Sequence, residues 1–167
     1  MLGRHEPGTL TAMMGADLAR CYPQLTFADL FDGYGNDEIV FDFAKVPSLS
    51  VQMFPCEEYH SSLDAPDRLD QANIDFAAEA MFRICRIVER DGRYRLGQQV
   101  PIYMTRFDLY ADEIRHRQDF VVNRQIMYGL RDERSLLEIA DGLNVDFFYV
   151  AYFVRRLAEH GLVTRLV

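Results

Sequence analysis

The strongest constraint on this chain lies near its C-terminal end, where helix start and stop signals follow one another at close spacing. Ser135 and Glu138 stand in the positions of a capping box, in which the two side chains satisfy each other's backbone N–H groups. The apolar run behind them predicts a helix over 136–143. Asp146 then opens a second helix over 146–160, which Gly161 ends. A preceding apolar pattern predicts a helix over 120–130, and 162–167 reads as a short β-like tail.

Helix, helix, short turn, helix and strand within so few residues is the plan of a winged helix-turn-helix module, placed here at 119–167. In a DNA reader the N-terminal half of the last helix offers Arg, Lys, Asn, Gln or Ser to base edges. This helix offers Asp146, Phe147, Phe148, Tyr149 and Val150, followed by Ala151, Tyr152 and Phe153. The module holds no lysine, and the whole chain carries 26 acidic against 18 basic side chains, a formal charge of -8. Such a balance repels a phosphate backbone and gives no footprint for nucleic acid. Phe147, Phe148, Tyr149, Tyr152 and Phe153 are therefore expected to form a protein interface, with the rest of the chain or a second copy, since large apolar groups rarely face water without a partner. A groove beside the wing that clamps an extended peptide as an added strand is a sharper variant.

Cys21, Cys56 and Cys85 are odd in number and form no C-x-x-C pair, so the sequence implies neither a disulfide framework nor a cysteine-based zinc knuckle. With no apolar run of membrane-spanning length, the expectation is a soluble, cytoplasmic protein that does not engage a membrane.

Upstream of the module the character differs. Residues 1–46 read as loops and a short helix near 15–22, with a turn at Gly33, Gly35 and Asn36. The run 47–53, PSLSVQM, suits a buried strand. From Asp70, Ile74, Ala77, Ala78, Met81, Ile84, Cys85 and Val88 recur at three- and four-residue steps, which predicts a long amphipathic helix with that face on a core, ending near Asp91 and Gly92. Residues 93–118 suggest a small strand pair or extended connector, and Pro101 confines the run to an edge.

The loop 54–68, FPCEEYHSSLDAPDR, places His60 between a strand and a long helix, where ligands bind in open α/β sheets. Histidine is the commonest metal ligand, and nearby carboxylates can orient its ring. Glu57, Glu58, Tyr59 and Asp64 are its candidate supporting or pocket residues. A single histidine in an acidic loop is otherwise a surface residue. A mononuclear site of Cys56, Glu57 and His60 is disfavoured because adjacent residues point apart in an extended loop. His5, His116 and His160 are most simply structural, and no glycine-rich phosphate loop or nucleophile elbow is present.

The stretch VPSLSVQMFPCEEYHSSLDAPDRLDQANIDFAAEAMFRI, 46–84, resembles the C-terminal end of the di-zinc aminopeptidase-like family, exopeptidases built on a doubly wound sheet. The similarity extends back through GNDEIVF, 35–41. In that family a tyrosine-histidine run, followed by threonine or serine, then serine-x-aspartate, carries the last zinc ligand, and some members carry a C-terminal winged helix. The resemblance implies that His60 is that ligand, flanked by Tyr59, Ser61, Ser62 and Asp64. It also implies that an aspartate-bearing strand aligns with 11–15, TAMMG, where Ala12 stands in place of a ligand, and that the other ligands would lie before residue 1. Two zinc ions about 3.5–4 Å apart activate water and clamp the oxyanion, which one histidine cannot do.

The sequence thus predicts an α/β to α+β protein, a partial doubly wound sheet fragment followed by a winged helix-turn-helix module. The expected domains are 1–92, an aminopeptidase-like C-terminal half-domain; 93–118, an extended connector or small strand pair; and 119–167, a winged-helix module. The implied role is that of a non-catalytic binding or accessory subunit. It would form a homo-oligomer, or join a partner chain that supplies the missing half-domain, and a peptide is a further candidate partner. The alternatives are a zinc-dependent peptide or amide hydrolase completed by that partner, and a winged-helix peptide-recognition or regulatory protein.

Overall fold

A computed structural model of the chain describes residues 2–3, 8–29, 31–33, 37–97 and 102–166. The chain forms two compact units, Met1–Val88 and Glu89–Val167. The fold is α+β, rich in helix with two small sheets.

In the first unit β1 (Leu2–Gly3) lies between β2 (Ala28–Asp29) and β3 (Leu49–Ser50), parallel to the former and antiparallel to the latter. Helix α1 (Leu10–Cys21) starts earlier than its apolar pattern suggests, because the Thr9 side chain accepts a hydrogen bond from the Ala12 N–H at 3.3 Å and caps it. Gly15 sits where α1 passes close to Phe27: a Cβ there would lie 2.6 Å from ring carbons. A short helix α2 (Glu38–Phe43) precedes β3. The strand expected over 47–53 is cut to two residues, both half-buried, and Met53 is exposed. This corrects the expectation of a buried strand: only Leu49 and Val51 of the run pack on the core, beside Leu18, Tyr22, Leu25 and Phe27.

Helix α3 (Gln71–Arg90) has the expected length, and its inner face coincides with the expected one only at Ala77 and Ile84. Ala80 and Ile87 are buried, with Phe76, Ala77, Arg83 and Ile84 half-buried, whereas Ile74, Ala78, Met81, Cys85 and Val88 are exposed. Arg83 explains the rotation. Its guanidinium reaches the buried Asp17 of α1 at 2.7 Å, so a charged residue occupies the core-facing side.

The second unit begins with β4 (Tyr94–Leu96), which pairs antiparallel with β5 (Val163–Arg165), Arg95 opposite Thr164. Part of 93–118, expected as a connector or small strand pair, thus supplies one strand of this sheet, whose partner is β5. Helices α4 (Arg117–Arg131), α5 (Leu136–Leu143) and α6 (Phe147–Glu159) surround a core of Ile126, Leu130, Leu136, Ile139, Val150 and Leu157. Both halves of the capping box form at Ser135, and Asp146 caps α6 by accepting from the Tyr149 N–H at 3.2 Å. Asn144 at φ 54° and Gly161 at φ 67° adopt the left-handed conformation that ends α5 and turns the chain out of α6. Among the described residues no helix is long and apolar enough to cross a membrane.

Candidate functional site

The His60 loop joins β3 to α3 within the first unit. Successive turns shape it: the Tyr59 N–H donates to the Cys56 carbonyl at 3.2 Å and the Ser61 N–H to the Glu58 carbonyl at 3.0 Å. The Ser61 hydroxyl reinforces the second turn by donating to the same Glu58 carbonyl at 2.7 Å, and it accepts from the Leu63 N–H at 3.1 Å. Between these turns His60 holds φ at 60°, a left-handed conformation uncommon for a residue with a Cβ. Its ring stacks on Tyr59 with centroids 3.9 Å apart and planes 18° from parallel, and the side chain is exposed.

The expected site residues separate here. Tyr59 and His60 are brought together, and Glu58 turns to Cys56, whose sulfur lies 3.9 Å from Oε2. Glu57 and Asp64 are exposed. Among the described residues no group of three or more His, Cys, Asp or Glu side chains is placed to hold a metal ion. The loop by itself can therefore offer one imidazole donor and does not fit a complete zinc centre. Ala12 lies within α1, so the alignment of 11–15 with an aspartate-bearing strand is corrected: the Thr9 cap makes that segment helical.

Beside the loop's first residues opens a cleft of about 500 Å³, with Gln24, Thr26, Asp32, Gln52, Phe54 and Asn73 among its walls. Gln52 is held by its amide, which donates to Glu38 Oε1 at 3.1 Å and to Ser50 Oγ at 3.0 Å. Sequence reasoning missed this cleft. Phe54 opens the motif and Gln52 just precedes it, but the facing wall at 24–32 carries no pattern tying it to them.

In the second unit the five aromatics expected at an interface divide. Phe147 and Phe153 are buried, Phe148 and Tyr149 are half-buried, and Tyr152 is 53% exposed. The Tyr149 hydroxyl lies 3.0 Å from Asn123 Oδ1 and 3.3 Å from Asp119 Oδ1. Burial, with the Asp119 charge beside it, pushes its pKa up to about 12. Arg90 lies over Phe148 and Arg155 over Tyr152, so guanidinium groups cover part of the aromatic surface.

No protein-family model matches the chain, and no curated protein matches it. In fold it is similar to a crystal structure of a protein from Clostridium acetobutylicum described as a "putative peptidase", with a TM-score of 0.75 over 99% of this chain and 16% sequence identity. At that identity the likeness is one of fold alone. The chain spans 38% of the length of that structure.

Proposed function

We propose that this chain is a peptidase-like fold segment that is not catalytic by itself and serves as a binding or accessory subunit, joining a second copy or a partner chain. The observation that carries the reading is the His60 loop: one exposed imidazole, fixed by a left-handed backbone and a stacked tyrosine, with Glu57 and Asp64 facing solvent and Glu58 directed to Cys56. Metal-assisted amide hydrolysis needs several ligands on one or two ions and a separate proton shuttle. In this proposal His60 is a single donor that the described residues do not extend to a metal centre. The second unit is the winged-helix module of the assembly, binding protein through Tyr152 and the half-buried Phe148 rather than nucleic acid.

The accessibility of the His60 ring also favours a second reading, a zinc-dependent peptide or amide hydrolase completed by a partner chain. Metal content separates the two. After chelation, zinc repletion and gel filtration, the accessory reading expects no stoichiometric zinc and no hydrolysis of aminoacyl anilides by the purified chain. One equivalent of zinc held by the purified chain and lost in His60→Ala would overturn it and favour the hydrolase reading, which places anilide hydrolysis in the pair with its partner chain.

A further inference from the structure

The cleft beside the His60 loop lies at the end of the first sheet where β1 begins. Leu2 of β1 faces Ala28 of β2 in parallel pairing and Ser50 of β3 in antiparallel pairing, so the residues before Ala28 and those after Ser50 both run past the N-terminal end of β1. These two segments are the walls of the cleft: Gln24, Leu25 and Thr26 on one side, Val51, Gln52 and Met53 on the other. With β1 between them, β2 and β3 lie two strand spacings apart, roughly 10 Å, and the gap between their extensions is the width of one extended chain. Phe76 and Ala77 of α3 also line the gap, whose volume of about 500 Å³ is within the range of ligand sites.

We propose that this cleft takes an extended segment of a partner chain, apolar on one face and basic on the other, laid between the two walls as an added strand. The width of the gap selects an extended backbone. Leu25, Val51 and Phe76, all half-buried, and the exposed Met53 and Phe54 select apolar side chains for the face turned inward. Gln24 and Asn73 add exposed amides, which both donate and accept hydrogen bonds and so match a peptide group. Charge selects the sign of the other face. Asp32 is exposed in the lining, and among the described residues no basic side chain joins it there. The chain's formal charge of -8 falls on this unit, since acidic and basic side chains balance over 89–167. That field draws lysine or arginine on the outward face of the segment and repels a second copy of this unit as the occupant. The proposal names the partner segment for the accessory role and rests on that reading for the role alone; the zinc assay reads His60, which does not line the cleft, so either can fail without the other.

Fluorescence anisotropy tests the cleft, with the full chain titrated into a labelled, acetylated and amidated pentapeptide of alternating valine and lysine. Saturable binding is expected below about 1 mM, and it should weaken roughly tenfold when glutamate replaces lysine. The same valines and lysines arranged in blocks should also bind roughly tenfold more weakly, because only the alternating order puts every valine on one face of an extended chain. Asn73→Trp, whose indole fills the cleft, should weaken binding of the alternating peptide roughly tenfold. Asp32→Lys should narrow the margin between the lysine and glutamate peptides about fivefold. Both variants should keep the far-ultraviolet circular dichroism of the parent chain. No saturation by any of these peptides up to about 1 mM, or binding indifferent to Asn73→Trp, overturns the proposal. Equal binding of the alternating and block peptides overturns the extended mode, and equal binding of the lysine and glutamate peptides overturns the basic occupant.

Discussion

Arg83 of α3 grips Asp17 of α1 with two donors on one oxygen, Nη2 at 2.7 Å and Nε at 3.1 Å from Oδ2, and that carboxylate is 1% exposed. Arg20 reaches the other oxygen at 3.3 Å. A buried pair of this kind contributes little against a well-packed apolar pair, but removing Arg83 leaves the buried Asp17 charge with weaker compensation, from Arg20 at 3.3 Å. Arg83→Met is therefore expected to cost about 3 kcal/mol. Urea unfolding followed by circular dichroism reads the loss, and hydrogen exchange should place it in α1 and α3. A change below about 0.5 kcal/mol would mean that Arg20 and water suffice for Asp17.

The same pair shows where sequence reasoning stops. Helices α5 and α6 are legible almost to the residue because their signals are local: Ser135 with Glu138, Asp146, and the turn residues Asn144 and Gly161. The existence and length of α3 are legible too, from its periodicity. Its inner face is legible only in part: periodicity picks Ala77 and Ile84, which face the core, along with the exposed Ile74 to Val88 stripe, while the core side also carries an arginine whose partner is 66 residues away in the chain. Two-residue strands leave no alternation to detect. At the candidate site the YHSSLD motif singles out His60, but neither its stacking on Tyr59 nor the cleft walled from 24–32 has a local signature.

Ser135 should matter to the second unit in a pH-dependent way. Its hydroxyl accepts from the Glu138 N–H at 3.2 Å, while Glu138 accepts from the Ser135 N–H at 2.6 Å and from Arg93 at 2.8 Å. Burial alone would raise the Glu138 pKa, but the Ser135 N–H and Arg93 outweigh it and hold the carboxyl below its ordinary value. A depressed carboxyl stabilises the fold above its unfolded pKa, and that contribution is lost as pH falls through the folded value. Ser135→Ala is expected to cost about 1 kcal/mol at neutral pH. Glu138→Gln should flatten the acid limb of thermal stability. An acid limb identical in Glu138→Gln and the parent chain would assign the acid sensitivity elsewhere.

Gly129 looks like an opportunity for stabilisation, since alanine in a helix interior is favoured over glycine by up to about 1 kcal/mol. The packing reverses the sign. A Cβ at Gly129 would lie 2.6 Å from Cγ1 and 2.9 Å from Cδ1 of Ile139, a side chain that is 1% exposed and has nowhere to move. Overpacking of this kind costs about 1–3 kcal/mol, so Gly129→Ala should lower the melting temperature of this unit by about 5 °C or more. A raised melting temperature would show that α4 and α5 can separate without loss.

Tyr149 predicts the opposite limb of the pH profile. Burial disfavours its phenolate first, and the Asp119 carboxylate 3.3 Å away adds repulsion, while the nearby Asn123 amide acts the other way and is too weak to cancel them. The pKa rises from 10.0 to about 12. The phenol therefore ionises more readily in the unfolded chain than in the folded one. Its stabilisation is fully present below the ordinary tyrosine range and drains away as pH rises through the folded value. Tyr22 is also raised, by burial and then by Glu79, so a late step in a spectrophotometric titration of the chain's 9 tyrosines has two contributors. Tyr149→Phe should remove the later one, and Asp119→Asn should shift it back toward the ordinary value without abolishing it. Thermal unfolding between pH 10 and 12 should then be flatter in Tyr149→Phe than in the parent chain. If Tyr149→Phe leaves the latest step in place, the hydroxyl is solvated in the folded protein and the contact with Asp119 does not form.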